Sequence, residues 1–271
     1  MEVNDREPGA ALGELLTLEE LDTNLYRASN PRPDERIVPH LYGGQVAAQA
    51  LRAAAHTVPP ERTPHSIHGY FLRAGRNDRP TIMFVDRDRD GGSFSARHVN
   101  AVQDGDVIFS ALASFHTGET SVEFEEAALA IDCAGPEGLA PSGDSRHHVF
   151  FDLRHVPPRE VDQWSTSRMW ARPRAQLPDD PVTRACVLTY LSDMGWAFHA
   201  VQDGGARVGG PSLDHAVWFQ RSFPVGDWML LDLTPLSVSG ARGVYTGTIH
   251  HRDGALAALL AQETLLRRVK A

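Results

Sequence analysis

The sequence predicts an α+β protein built from two copies of one unit, in which a long helix is followed by an antiparallel sheet wrapped around it. Two Ala- and Leu-containing runs at helical spacing, GGQVAAQALRAAAHTV and ACVLTYLSDMGWAFHAV, each precede a set of short, partly alternating segments rich in Val, Ile, Leu and Phe. The landmarks after each helix also recur in order: HGYFLR or HAVWFQR, then S-x-x-A-R or S-G-A-R, then a D-G turn and a last apolar stretch. The period is about half of the 271-residue chain, which suits two fused units and not a solenoid of short repeats.

In chain order, ALGELLTLEEL reads as helical, and NPRPDERIVP is a proline-rich connection. GGQVAAQALRAAAHTV is helical through its alanines and ends at PPER, where proline stops the helix. HSIHGYFLRAG, TIMFVDRDRDGG, SFSARHVNAVQDG and DVIFSALASFH read as strands separated by glycine-containing turns. The segment from Gly118 to Arg146, with its acidic residues, Gly and Pro, reads as a linker or covering loop. The expected division is therefore 1–117, a linker at 118–147, and 148–271. In the second unit the helical run ACVLTYLSDMGWAFHAV is followed by SLDHAVWFQRSF and WMLLDLTPLSVSGARGVYTGTIHHRDG as strands. The final ALAALLAQETLLRR favours helix by its Ala and Leu, but its counterpart DVIFSALASFH favours strand, and the repeat selects strand.

A composition of 42% hydrophobic and 23% charged residues is that of a folded globular chain, not a disordered or fibrous one. With 26 basic against 35 acidic residues the formal charge is −9, which argues against a broad nucleic-acid surface, because phosphate binding needs a basic field. Cys133 and Cys186 form no C-x-x-C pair, and the start MEVNDREPGA has neither a basic nor an apolar signal region. RRVKA carries no address signal and no apolar run spans a membrane, so the expectation is a reduced, cytoplasmic protein.

Asp193 is the first candidate for chemistry. If its run is helical throughout, it shares a face with Tyr190, Trp196 and Ala197, and no Lys or Arg lies within helical reach. An Asp in such a place often caps a helix or pairs with a distant buried Arg. Left unpaired, a buried carboxylate is costly and its pKa should rise, which suits a general base near neutral pH. Ser212, after Pro211, could simply cap a turn; no G-x-S-x-G elbow surrounds it, so it is not a hydrolase nucleophile. Asp214 and His215 make an acid and imidazole pair, but adjacent strand residues face opposite ways and cannot share a site without a bulge. Gln262 is either a surface amide or, on a central strand, an inward one whose hydrogen-bonding groups need partners.

The paired histidines (His65 and His68, His147 and His148, His250 and His251) lack a third ligand in register, so no metal site is expected. GGQV lacks the G-K-[ST] of a phosphate-binding loop, no G-x-G-x-x-G follows a strand, and no cofactor is expected. Gly43 and Gly44 permit close approach at a helix start, which could receive an anionic or carbonyl group.

In YGGQVAAQAL, HSIHGYFLRAG, DGGSFSARHVNAVQDG, IFSALASFH, TYLSD, LDHAVWF, the ARG at Ala241 to Gly243, and DG followed by AQE, the chain resembles the acyl-CoA thioesterase II family of bacteria and peroxisomes. These stretches lie in order from about Leu15 to Arg268. The resemblance implies two fused hotdog folds, a double hotdog, each a curved antiparallel sheet around a long helix. It also implies hydrolysis of acyl-CoA to free fatty acid and CoA by direct attack of water, held and activated by an Asp, a Ser or Thr, and a Gln. Carried onto this sequence, those residues are Asp193 in Y-L-S-D, Ser212 two positions before the strand's Asp214, and Gln262 at the start of Q-E. The chain departs from the family pattern at HGYFLRAG, where relatives more often read HSYFLRPG, and in a shorter segment between Asp193 and Ser212, which bears on the acyl pocket.

A hotdog hydratase or dehydratase would need D-x-N-P-x-H, whereas this chain has DMGWAFH, with His199 six positions after Asp193. A catalytically silent acyl-CoA binder would be favoured if the three polar residues were missing. Arg97 and Arg242 are candidate contacts for the CoA phosphates. Through the edges and outer faces of such sheets, a homodimer or homotetramer is expected.

Overall fold

The computed structural model describes residues 10–30, 40–125, 132–142, 147–161, 164–195, 197–200 and 208–268. The first half runs α1 (Ala10–Leu16), β1 (Leu18–Asp22), β2 (Leu25–Ala28), α2 (Gly43–Ala55), β3 (Thr63–Phe71), β4 (Thr81–Asp90), β5 (Phe94–Gln103) and β6 (Asp106–His116). The second runs β7 (Phe151–His155), β8 (Glu160–Val161), β9 (Trp164–Ser165), β10 (Ser167–Pro173), α3 (Pro181–Ser192), β11 (His199–Ala200), β12 (Val208–Gly209), β13 (Asp214–Phe219), β14 (Met229–Ser239), β15 (Arg242–His251), β16 (Leu256–Leu265) and β17 (Arg267–Arg268).

Twelve strands form one sheet in the order β1-β2-β4-β5-β6-β3-β13-β16-β15-β14-β10-β7. The repeat seen in the sequence is a repeat of topology. In each half the first strand of the large sheet after the helix pairs with its last, β3 with β6 and β13 with β16, and the sheet then steps outward through β5 and β4 or β15 and β14. The halves join where β3 and β13 pair antiparallel, with Tyr70 opposite Asp214 and Trp218 opposite Ser66. The expected pair of helix-wrapping sheets is present, fused edge to edge.

The two helices lie on the concave side and pack on each other, α2 also against β3, β5 and β6, and α3 against β3, β13 and β15. Ten of the thirteen residues of α2 are buried, which its run of Ala and Gly allows because small side chains let the backbone sit close to the sheet and to α3 at once. Strands alternate accordingly: in β5 Ser95, Arg97, Val99 and Ala101 are buried, with half-buried residues between them.

ALAALLAQETLLRR is strand, as the repeat required: β16 lies between β13 and β15, and two-sided pairing overrides the helical preference of Ala and Leu. Two expectations are corrected. ALGELLTLEEL is helix only to Leu16; Leu18–Asp22 becomes β1, which pairs with β2 across a turn in which Asn24 takes φ 61°. ACVLTYLSDMGWAFHAV is not helical throughout, since α3 ends at Ser192 and His199–Ala200 forms a short strand against Trp164–Ser165. Trp196, expected to share a helical face with Asp193, lies outside the described residues.

Candidate active site

Helix α3 begins at Pro181, where proline costs no hydrogen bond, and Asp180 caps it by accepting from the Thr183 N–H at 2.9 Å. It ends on Asp193, the C-cap residue, which is half-buried. Across the interface α2 starts at Tyr42, whose side chain supplies no cap to that helix. The missing cap comes from the other half of the molecule: Asp193 Oδ2 accepts the Gly44 N–H at 2.8 Å. The C-terminal end of α3 disfavours a carboxylate by about 0.3–1 kcal/mol. A charge-assisted hydrogen bond is worth about 1.5–3 kcal/mol, and the N-terminal end of α2 adds to it. Attraction wins, and Asp193 is not the unpartnered carboxylate its neighbours in sequence implied.

The contact demands glycine. A Cβ on Gly43 would stand 2.8 Å from Asp193 Oδ2 and 2.9 Å from Phe71 Cζ, and one on Gly44 would stand 2.6 Å from the Tyr190 carbonyl oxygen. Tyr42 reinforces the junction by donating its hydroxyl to that same carbonyl at 2.8 Å.

Ser212 and Gln262 meet Asp193 there. The Gln262 amide nitrogen uses both hydrogens, one on Asp193 Oδ1 at 3.1 Å and one on Ser212 Oγ at 2.5 Å. The Ser212 hydroxyl points to Asp193 Oδ1 at 3.5 Å, a long contact, so Gln262 is the main link among the three. Gln262 is buried on the inner face of β16, opposite Tyr245 of β15. Burial, then the negative charges of Asp193 and Asp214, push the Tyr245 phenol well above its ordinary range, so it stays protonated.

All three side chains line one cleft of about 570 Å³ between α2, β3 and the loop before β13. Its apolar wall is Leu41, Val46, Phe71, Ile108 and Phe109, and Arg73 stands in its lining beside Leu72. A carboxylate, a hydroxyl and an amide converging in the lining of an apolar cleft can orient a water toward a carbonyl and take its proton.

Asp214 and His215 face opposite ways, as the strand geometry required. Asp214 accepts the Glu263 N–H at 2.6 Å, whereas His215 is buried between Ser192 and Gln262. Burial lowers the His215 pKa, against the opposing pull of Asp193 and of its bond to Gln262. Arg97 is not a phosphate contact: its side chain is 1% exposed and bonded to Thr57 and Asp90, with Nη2 to Asp90 Oδ1 at 2.7 Å. Arg242 is exposed and paired with Glu263 at 2.8 Å. Sequence reasoning passes over Ser192 and Arg73, although Arg73 closes the repeated H-x-aromatic strand and Ser192 sits inside YLSD. Among the described residues no group of three His, Cys, Asp or Glu side chains could hold a metal ion, and no helix is long and apolar enough to cross a membrane.

Residues 31–116 match the family model of the acyl-CoA thioesterase N-terminal domain, and residues 122–266 match that of the C-terminal domain. Acyl-coenzyme A thioesterase 8 of Rattus norvegicus is 33% identical over 286 residues, covering 93% of this chain and 88% of the relative. The crystal structure of acyl-CoA thioesterase II TesB2 from Mycobacterium marinum superimposes with a TM-score of 0.80 at 38% identity, covering 96% of this chain and 99% of that one. A hot dog fold protein of unknown function from Alicyclobacillus acidocaldarius, 19% identical, shares the fold with a TM-score of 0.78 over 96% of this chain and 99% of its own.

Proposed function

The chain belongs to the acyl-CoA thioesterase family and is a thioester hydrolase acting on acyl-CoA, and from that premise we propose that Asp193, Ser212 and Gln262 activate the water that attacks. The observation that carries this assignment is that Ser212 and Gln262 both meet Asp193 Oδ1 in the lining of an apolar cleft. Water enters where Gln262 donates to Asp193 Oδ1 and takes that N–H on one lone pair; it gives one hydrogen to Ser212 Oγ, turns its other lone pair to the thioester carbonyl, and loses its second proton to Asp193 as oxygen bonds to carbon. The carbonyl oxygen gains negative charge facing the N-terminal end of α2, where Gly43 lines the cleft and the helix presents its positive end. Collapse of the tetrahedral intermediate breaks the carbon–sulfur bond, and the proton held by Asp193 passes to the departing CoA sulfur. No acyl-enzyme forms.

The acyl chain lies along Leu41, Val46, Phe71, Ile108 and Phe109, and Arg73, exposed and paired with Asp106 at 3.4 Å, is the lining guanidinium that would turn to a CoA phosphate. We place the activity in the reducing cytoplasm, in fatty-acid metabolism, where Cys133 and Cys186 keep free thiols. A homodimer formed through the convex side of the sheet is part of the same reading. Leu112, Tyr70, Trp218 and Leu259 are exposed there on four successive strands, β6, β3, β13 and β16, a patch larger than isolated surface apolar residues make.

Release of thiol from acyl-CoAs of graded length by the purified protein tests the mechanism. Asp193→Asn is expected to lose about 10²–10⁴-fold in kcat, as for removal of a general base, and to melt at a lower temperature because a neutral amide caps α2 less well, while its circular dichroism spectrum shows it folded at the assay temperature. A variant that turns over at the original rate would sink the assignment.

A further inference from the structure

We infer that His215 is a positioning residue of this reaction, whose Nδ1–H fixes the direction in which the Gln262 amide faces; this rests on the reading that Gln262 holds the attacking water. The reasoning starts from the carboxylate. Asp193 can only accept hydrogen bonds, so the end of Gln262 that lies 3.1 Å from Asp193 Oδ1 must be its NH₂ group. The other end is then the carbonyl oxygen Oε1, buried and facing His215 Nδ1 in a short contact. An oxygen there requires a donor, so the proton of His215 is on Nδ1.

A neutral imidazole carries one proton, which leaves Nε2 as an acceptor. Ser192 Oγ stands 2.7 Å from Nε2 and supplies that hydrogen bond. The same hydroxyl lies 2.9 Å from the Thr189 carbonyl, but it has one hydrogen, and among the described residues the bare Nε2 has no other hydrogen-bond donor. Ser192 is 0% exposed and His215 2%, and the Gln262 oxygen faces His215, so water does not compete on this side of the amide.

The result is a one-way chain of donors from Ser192 to His215 to Gln262 and on to Asp193 and Ser212. Turning the amide over would set Oε1 against Asp193 Oδ1 and the NH₂ against Nδ1–H, two repulsions at once. His215 therefore acts through Gln262 and touches no reacting atom. Asp214, on the opposite face of β13, has no part in it, which separates this arrangement from a Ser-His-Asp triad.

The test compares two amides of different reach. In His215→Asn the side-chain NH₂ falls where Nδ1 stood and can still donate to Gln262 Oε1; in His215→Gln it reaches toward Ser192 and leaves Oε1 without a donor. The Asn variant is expected to recover most of the original kcat, and the Gln variant to lose about 10–100-fold in kcat with KM nearly unchanged, the size of effect found for partners that orient a reacting group. Placed on Gln262→Ala, either change should add nothing. The ¹⁵N shifts of His215 in the unaltered protein should report the Nδ1–H tautomer. An Nε2–H tautomer, equal losses in the Asn and Gln variants, or a further loss on Gln262→Ala would overturn the proposal. Full activity of Gln262→Ala alone would instead remove the assignment of Gln262 itself, and this proposal with it.

Discussion

Asp193 is legible as unusual from its neighbours alone, but the reason read from them does not hold. As a mid-helix carboxylate among Tyr, Leu and Met it would be stranded; as a C-cap residue it reaches across to another helix and is bonded. What a helical projection misses is that the chain turns at Ser192, so the side chain leaves the face its spacing predicts. Its environment depends on a residue that is absent, the side chain of Gly43. Gly43→Ala would push a methyl to 2.8 Å from Asp193 Oδ2, where an overpacked site typically loses about 1–3 kcal/mol. The expected result is a lower melting temperature together with a fall in thiol release. A variant with both unchanged would mean that the helix start does not need its close approach to the carboxylate.

At the scale of elements, local rules worked where a segment has one plausible partner and failed where two compete. Helix α2 could be read directly, since alanine, helical spacing and the Pro-Pro stop all agree. The strand β1 could not, because its only preference for extended structure comes from pairing with β2. Helix α3 starts at Pro181, four residues before the helical run read from Ala185, with Asp180 as its cap. Asp180 receives the Thr183 N–H and hydroxyl, at 2.9 and 2.6 Å. Burial by itself would raise the Asp180 pKa, but these bonds and nearby Arg52 bring it below its ordinary value. A depressed carboxyl stabilises the fold above its unfolded pKa and stops doing so as pH falls through the folded value. Asp180→Ala should therefore cost about 1 kcal/mol by denaturant unfolding near neutrality, and the gap from the unaltered protein should narrow as pH is taken below the usual carboxylate range. A constant gap down to strong acid would exclude an ionised cap.

At the scale of the whole molecule, the shared sheet is what assembles the site. The proposed water-holding residues come from the end of α3, the loop before β13 and the middle of β16, and the carboxylate is tied to the start of α2 in the other half. The second half supplies all three side chains, and the first half supplies the Gly44 N–H that holds the carboxylate and the apolar wall of the cleft. The same continuity puts Trp218 next to His68, with ring centroids 4.7 Å apart, in the apolar band on the convex side. Trp218→Lys would place a charge in that band; it should shift sedimentation from dimer to monomer while thiol release persists. If the unaltered protein already sediments as a monomer, the dimer reading falls.

The sequence by itself determined the two-unit plan and the succession of the long helix and main strands within each unit, and it nominated the residues of the candidate site, because periodicity, turn residues and repeated landmarks are properties of neighbours along the chain. Only the tertiary structure decided that Asp193 is bonded to Gly44, that Arg97 is tied into the fold and not offered to a phosphate, and that His215 with Ser192 stands behind Gln262. Those contacts join residues 149, 7, 23 and 47 positions apart. Even the 7-residue link, Asp90 to Arg97, crosses between two strands, β4 and β5. A hydrogen bond depends on distance and direction in space, and separation along the chain encodes neither until the sheet and its two helices bring the groups together.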